Sequence, residues 1–191
     1  MKNVVRYLII TAMVAAFGYL VAAPTDWKAY SGFSATLIAF LTSEIQKNAA
    51  LKHGDADRAL FKKFLEELPS TGVISDLKTL DMAGRIPNSA LYAIQRFSQG
   101  WNDPEHEFHD ATLESLRMRL CELIVDFRDS IIEHTHADDH QPKEWQRVPP
   151  EWHHEQNGRF KAAVSELHQL ADDMFATHQE LVRTGRRRLG V

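Results

Sequence analysis

A lone cysteine, Cys121, sets the first limit on this chain of 191 residues. One thiol excludes a disulfide framework and any paired-cysteine metal site. Charge of one sign is also lacking. The 22 Lys and Arg stand against 26 Asp and Glu, so the net charge is −4 and no global basic field draws the chain to nucleic acid. DNA is therefore not an expected partner. Polar–apolar alternation of strand type never runs to useful length, and neither an internal repeat nor a long low-complexity tract is present. These absences leave an all-α chain.

What is present begins with Tyr7–Ala23, an uncharged run of seventeen residues. With Val4, Val5 and a snorkelling Arg6 the segment makes a helix of roughly 30 Å at about 1.5 Å per residue, the thickness of a bilayer core. A transmembrane anchor over 1–24 is expected, in a bacterial inner membrane. The same residues also read as a signal peptide, with Lys2 and Arg6 as its positive region and Val21-Ala22-Ala23 as a cleavage site. Pro24 and the length of the run favour retention. Lys2 and Arg6 before the span favour a cytoplasmic N-terminus. A single span would place the remainder outside, whereas a second span over 29–43 would return it. That second uncharged segment is short for a span, and its larger residues fit an amphipathic juxtamembrane helix over 25–54. Within the anchor, Thr11, Ala15, Gly18 and Ala22 form a small-residue stripe of the kind that lets membrane helices approach. A lipid bilayer and further copies of the chain are the partners this implies.

A helical bundle is expected over 55–191. Leu60, Phe61, Phe64, Leu65 and Leu68 share one helical face before Pro69–Gly72 stops it. Ile74, Leu77 and Leu80 mark a second helix, and Leu91, Ile94 and Phe97 a third. Asp103-Pro104 has the form of a capped helix start. Two long helices follow, 111–134 on Leu113, Leu116, Leu120, Leu123, Phe127 and Ile131, and 158–183 on Phe160, Val164, Leu167, Leu170, Met174, His178 and Leu181. Spacing of three and four buries one stripe per helix, so the two pair within the bundle or across a subunit interface. Between them, 137–157 holds three prolines and is either packed over the bundle or a functional loop. The terminal Gly-Arg-Arg-Arg run reads as a solvated end, with contact to anionic lipid as the alternative.

The stretch FKKFLEELPSTGVISDLKTLDMAGR, then WNDPEHEFHD and the closing GRRRLGV, resembles a family of small bacterial membrane-anchored helical proteins. That likeness implies a bacterial helical domain and supplies no activity. His106 and His109, and separately His134, His136, His140, His153 and His154 with Asp138 and Asp139, are metal-ligand types, but without an established ligand frame they read as caps and solvated loop. No metal and no cofactor is expected.

Arg128-Asp129-Ser130-Ile131-Ile132-Glu133-His134 is similar to the motif of HEPN-family ribonucleases: Arg, a polar residue, four more, then His. The resemblance implies an all-α bundle that pairs two motifs across a dimer. Arg128 and His134 would act there on the scissile phosphate without a metal. Membrane-associated accessory proteins of RNA-targeting CRISPR systems combine a membrane helix with such a motif, which implies RNA or an RNA-guided effector as partner and a role in antiviral defence. Six residues splay the two side chains by about 120° on an ideal helix, so the helix must loosen near Glu133 for them to meet. The leading expectation is a non-enzymatic, membrane-anchored, self-associating scaffold, accessory or pore component. A HEPN-like ribonuclease is second. A secreted or periplasmic binding domain is third, if the first 23 residues are removed.

Overall fold

The computed structural model describes residues 10–12, 14–15, 17–18, 21, 27–137 and 144–191, with backbone alone for 27–33, 35–36, 39 and 43–52. The rest of the expected anchor, Ala22 included, lies outside the described residues, as do Asp138, Asp139 and His140. The chain divides into two compact units, Met1–Asp55 and Ala56–Val191.

In the first unit, every described position between 10 and 21 is helical and exposed. Helix α1 (Trp27–Glu67) begins in this unit and continues unbroken into the second. Two separate helices were expected here, but the chain passes through Gly54 in helical conformation. One glycine costs about 1 kcal/mol relative to alanine, too little to end a helix with favourable turns on either side. Among the described residues no helix is long and apolar enough to cross a membrane.

The second unit is mostly helical. After α1 come α2 (Val73–Thr79), β1 (Ile86–Pro87), α3 (Asn88–Gly100), a 3-10 turn (Pro104–His106) and α4 (Ala111–His134). Next are β2 (His136–Ala137), β3 (Trp145–Arg147), α5 (Trp152–Glu155) and α6 (Asn157–Leu189). The stripes of α4 and α6 pack on each other within the protomer. Leu120, Leu123, Phe127, Leu167 and Met174 are buried there, with Leu170 packed against them.

The ends of these helices follow local chemistry. Asp110 caps α4 by accepting from the Thr112 and Leu113 N–H groups, at 2.9 and 3.2 Å. Asp103 does the same for the 3-10 turn, accepting from Glu105 and His106. Gly190 ends α6 in the left-handed conformation, φ 69°, where a side chain would be strained. The three strands form a small antiparallel sheet in the order β1-β3-β2, with Ile86 opposite Gln146 and His136 opposite Arg147. The sheet fastens part of the Pro-containing connection over the bundle and seats Val148 fully inside.

Aromatic rings from three helices and a loop fill the centre. Phe64 of α1 meets Phe97 edge-on at 5.9 Å and Trp101 at 5.5 Å, while Phe97 stacks on Trp101 at 5.2 Å. Such pairs contribute about 0.5–1.5 kcal/mol beyond their area. The His178 ring of α6 lies 5.4 Å from Phe64, and its Nε2–H donates to the Leu68 carbonyl at 2.8 Å. Its Nδ1 is buried without a partner. Burial pushes the His178 pKa below the ordinary 6.5, against the opposing pull of the Leu68 carbonyl, so the ring stays neutral inside.

This predicts an acid-side weakness. Below pH about 6.5 the unfolded chain takes up a proton that folded His178 refuses. Stability is therefore full above that pH and declines as pH falls toward the lowered folded value, by at most about 1.4 kcal/mol per pH unit. Urea denaturation at pH 8, 6.5 and 5 should show the decline, and His178→Phe should flatten it. A His178→Phe profile parallel to the wild type would assign the slope to other groups.

Candidate functional site

Helix α4 carries the residues that the sequence singles out for chemistry, and its regularity decides their relation. The helix stays α-helical through His134, and the Thr135 N–H still donates to the Ile131 carbonyl at 2.9 Å. The loosening near Glu133 that would let Arg128 meet His134 does not occur. The two side chains consequently face different neighbours, as the 120° splay requires.

Arg128 lies on the α3 side. It lines a groove of about 250 Å³ with walls of Leu91, Ile94, Ile131 and Ile132 and polar edges from Asn88 and Gln146. Its Nε and Nη2 both donate to Asp129 Oδ1, at 2.9 and 2.6 Å. His134 lies on the α6 side, with Nε2 3.3 Å from Glu166 Oε2 and Nδ1 buried without a partner. Glu166 belongs to a second, open groove between α4 and α6 whose other carboxylates are Asp126, Asp129 and Glu133. Within one protomer Arg128 and His134 therefore share no cleft.

The histidine-rich segment WNDPEHEFHD is structural. A lysine can only donate, so Lys63 Nζ–H bonds to His106 Nε2 at 2.6 Å and His106 Nδ1–H donates to Asp103 Oδ1 at 2.7 Å. The His106 hydrogen bond, outweighing the opposing effect of burial, holds the Asp103 carboxyl below its usual range. His109 and Asp110 give their backbone N–H groups to the buried Asp57 carboxylate, at 2.8 and 2.9 Å. The start of α4 is thus tied to α1 through charge-assisted bonds. Among the described residues, no group of three or more His, Cys, Asp or Glu is placed to hold a metal ion. Cys121 is buried, and burial pushes its thiol pKa up, which keeps it protonated and unreactive.

Two buried charges escaped the sequence reading. Arg117 sits inside α4 almost fully buried, with Nη2 and Nε on the Glu114 carboxylate at 2.5 and 2.9 Å and Nη1 on the Trp101 carbonyl. Its place on the face of Leu113 and Leu120 was the available signal. Asp57 is the other, and nothing local distinguishes it from a helix-start aspartate. The arginine-rich end is also partly structural: Arg188 donates to Asp110 Oδ2 at 2.9 Å and Thr112 Oγ1 at 2.8 Å, and Leu189 is buried. Arg186 and Arg187 remain exposed.

Of the small-residue stripe, Thr11, Ala15 and Gly18 are described, and all three are exposed. A Cβ added at Gly18 would meet nothing within 4 Å. Beside them Ile10, Val14, Phe17 and Val21 are also exposed, 39, 68, 56 and 65 % of their surface being open. Compared with protein-family models, curated proteins and solved structures, the chain finds no match.

Proposed function

We propose that this chain is a non-enzymatic, membrane-anchored protein of the bacterial inner membrane that self-associates as a scaffold, accessory or pore component. The observation that carries this reading is the exposed apolar surface of Ile10, Val14, Phe17 and Val21. Four large apolar side chains at helical spacing, in a segment uncharged from Tyr7 to Ala23, gain most when lipid or another such helix covers them. The small face of Thr11, Ala15 and Gly18 permits close approach of a second copy.

Two measurements test this. The full chain should stay in the membrane pellet after alkaline carbonate, and its mature N-terminus should precede Tyr7. Release by carbonate, or a chain starting at Pro24, overturns the anchor. A Cβ at Gly18 meets nothing within 4 Å in its own protomer, so Gly18→Leu is a probe of association. The variant should lower the cross-linked yield and the detergent-solubilised mass of the oligomer. An unchanged mass would make the small face ordinary lipid-facing sequence.

A HEPN-like ribonuclease is the second reading, favoured by one observation. Arg128 lines a solvent-open groove two helical turns or less from His134, which leaves room for a second subunit to complete a site. Wild-type protein would then cleave RNA in the presence of chelator, and His134→Ala would abolish cleavage without loss of folding. Full activity in that variant, or none in the wild type, removes this reading.

A further inference from the structure

The α4 stripe read from sequence as a pairing face is consumed inside the protomer, against α6. A different stripe on the same helix is left uncovered. Met118, Val125 and Ile132 are spaced seven apart, and 49, 37 and 71 % of their respective surfaces are exposed. Residues seven apart drift by only about 20° around a helix, so the three form one line along the outer face of α4. Tyr92 of α3, 68 % exposed, stands at the same groove as Ile132. Scattered exposed apolar residues need no explanation, but three at heptad spacing on one 24-residue helix describe a seam.

The charges beside this seam say what fits it. On the α6 side are carboxylates: Asp126, Asp129 and Glu133 of α4 and Glu166 of α6. On the α3 side are Arg128, whose Nε and Nη2 also reach Asp129 of its own helix, and Arg96, exposed one helical turn after Tyr92. At the Ile132 end one border is acidic and the other basic, which makes that part of the surface complementary to itself in one orientation. A two-fold axis running along α4 brings each acidic border against the partner's arginines. A two-fold axis across the helix would set carboxylates on carboxylates and arginines on arginines. Like charges juxtaposed at an interface are strongly disfavoured.

We propose that a second copy of this chain docks on the Met118–Val125–Ile132 seam, with the two α4 helices parallel and in register. The proposal deepens the self-association reading and names the surface of the 56–191 unit that takes part. A seam of three side chains forms a weak contact by itself. Tethering both copies through their N-terminal segments raises the effective concentration and makes a weak contact sufficient.

Single cysteines test the geometry in the full chain. In a Cys121→Ala background, Met118→Cys, Val125→Cys and Ile132→Cys are oxidised separately, with Gly18→Cys as the reference for the N-terminal segment. All three seam positions are exposed, so the variants should fold, which thermal melts verify. The parallel arrangement joins Met118→Cys to itself and Ile132→Cys to itself, each giving a disulfide dimer. Cross-linking seen solely when Met118→Cys and Ile132→Cys proteins are mixed would mean antiparallel helices and overturn the proposal. Seam cysteines that stay reduced while Gly18→Cys cross-links would overturn it and leave self-association intact. Failure at all four positions would remove both readings. A disulfide to a different protein in cells would assign the seam to another partner and likewise overturn the proposal. In the supporting case, Val125→Asp in the Met118→Cys protein should reduce the dimer yield at least several-fold.

Discussion

Replacing Glu114 by alanine should cost about 3–5 kcal/mol, a large fraction of the roughly 5–15 kcal/mol that holds a domain folded. The side chains of Glu114 and Arg117 retain 15 and 7 % of their exposure, so removing the carboxylate strands a guanidinium in the interior. The Trp101 carbonyl stays as an acceptor for Nη1, which places the loss toward the lower end of that range. The same carboxylate accepts the Phe108 N–H at 3.0 Å, so the entry to α4 loosens as well.

Burial would raise the Glu114 pKa, but hydrogen bonds from Arg117 and the Phe108 N–H together with the Arg117 charge outweigh it. The carboxyl sits below its usual 4.5. A lowered folded pKa means the pair stabilises fully above pH about 4.5 and loses its contribution as pH falls through the folded value. Urea melts of wild type and Glu114→Gln should therefore differ at pH 7 and converge in acid. Removing both charges together, as Glu114→Leu with Arg117→Met, should recover a large part of the loss, because no unpaired charge remains. Equal destabilisation by the single and the double change would mean that the pair's charges do not matter.

Gly185→Val should be comparably severe, at about 3 kcal/mol, the upper part of the range for overpacking. A Cβ at this position would fall on the Phe61 ring, with Cε2, Cζ and Cδ2 all within 2.7 Å. Phe61 is fully buried and stacks on Phe64 at 6.2 Å, so the ring has nowhere to retreat. The glycine lets α6 press its backbone onto α1 where those helices meet. Shortening the ring with Phe61→Leu costs stability by itself, yet it opens the volume that the added isopropyl group needs. The double variant should be more stable than the sum of the two losses, with a coupling of about 1–3 kcal/mol by double-mutant cycle. Additive losses would show that the close approach at Gly185 is not what holds the glycine there.

Much of α4 is local information. Asp110 with Thr112 and Leu113 is a cap that needs no partner, and apolar spacing from Leu113 to Ile131 fixes the buried side. The expected span, 111–134, is therefore the observed one. Helix α6 runs on past Arg183 to Leu189 because its end is held from outside: Arg58 Nε donates to the Leu189 carbonyl at 2.8 Å, and Arg188 reaches Asp110. No pattern within Gly-Arg-Arg-Arg states that. The strands escaped for a similar reason. Two or three residues carry no period, and the β1–β3 pairing joins positions some sixty apart, Ile86 opposite Gln146.

For the candidate site, the sequence supplies residue types and their angles about a helix axis. The splay of Arg128 from His134 follows from six residues at about 100° each. Which neighbour each side chain meets does not. Asp129 and the α3 groove take Arg128, and Glu166 takes His134, because α3 and α6 dock on opposite flanks of α4.

By itself, then, the sequence determined what depends on contiguous residues: the helical class, the apolar N-terminal run, the caps, and the stripes on Leu120–Phe127 and Leu167–Met174. Tertiary structure decided which of those stripes are spent within the protomer and which, like Met118, Val125 and Ile132, are left open. It also decided that Arg117 and Asp57 would be interior. Burial depends on the surface of another element, and that surface is brought up by residues far away in the chain.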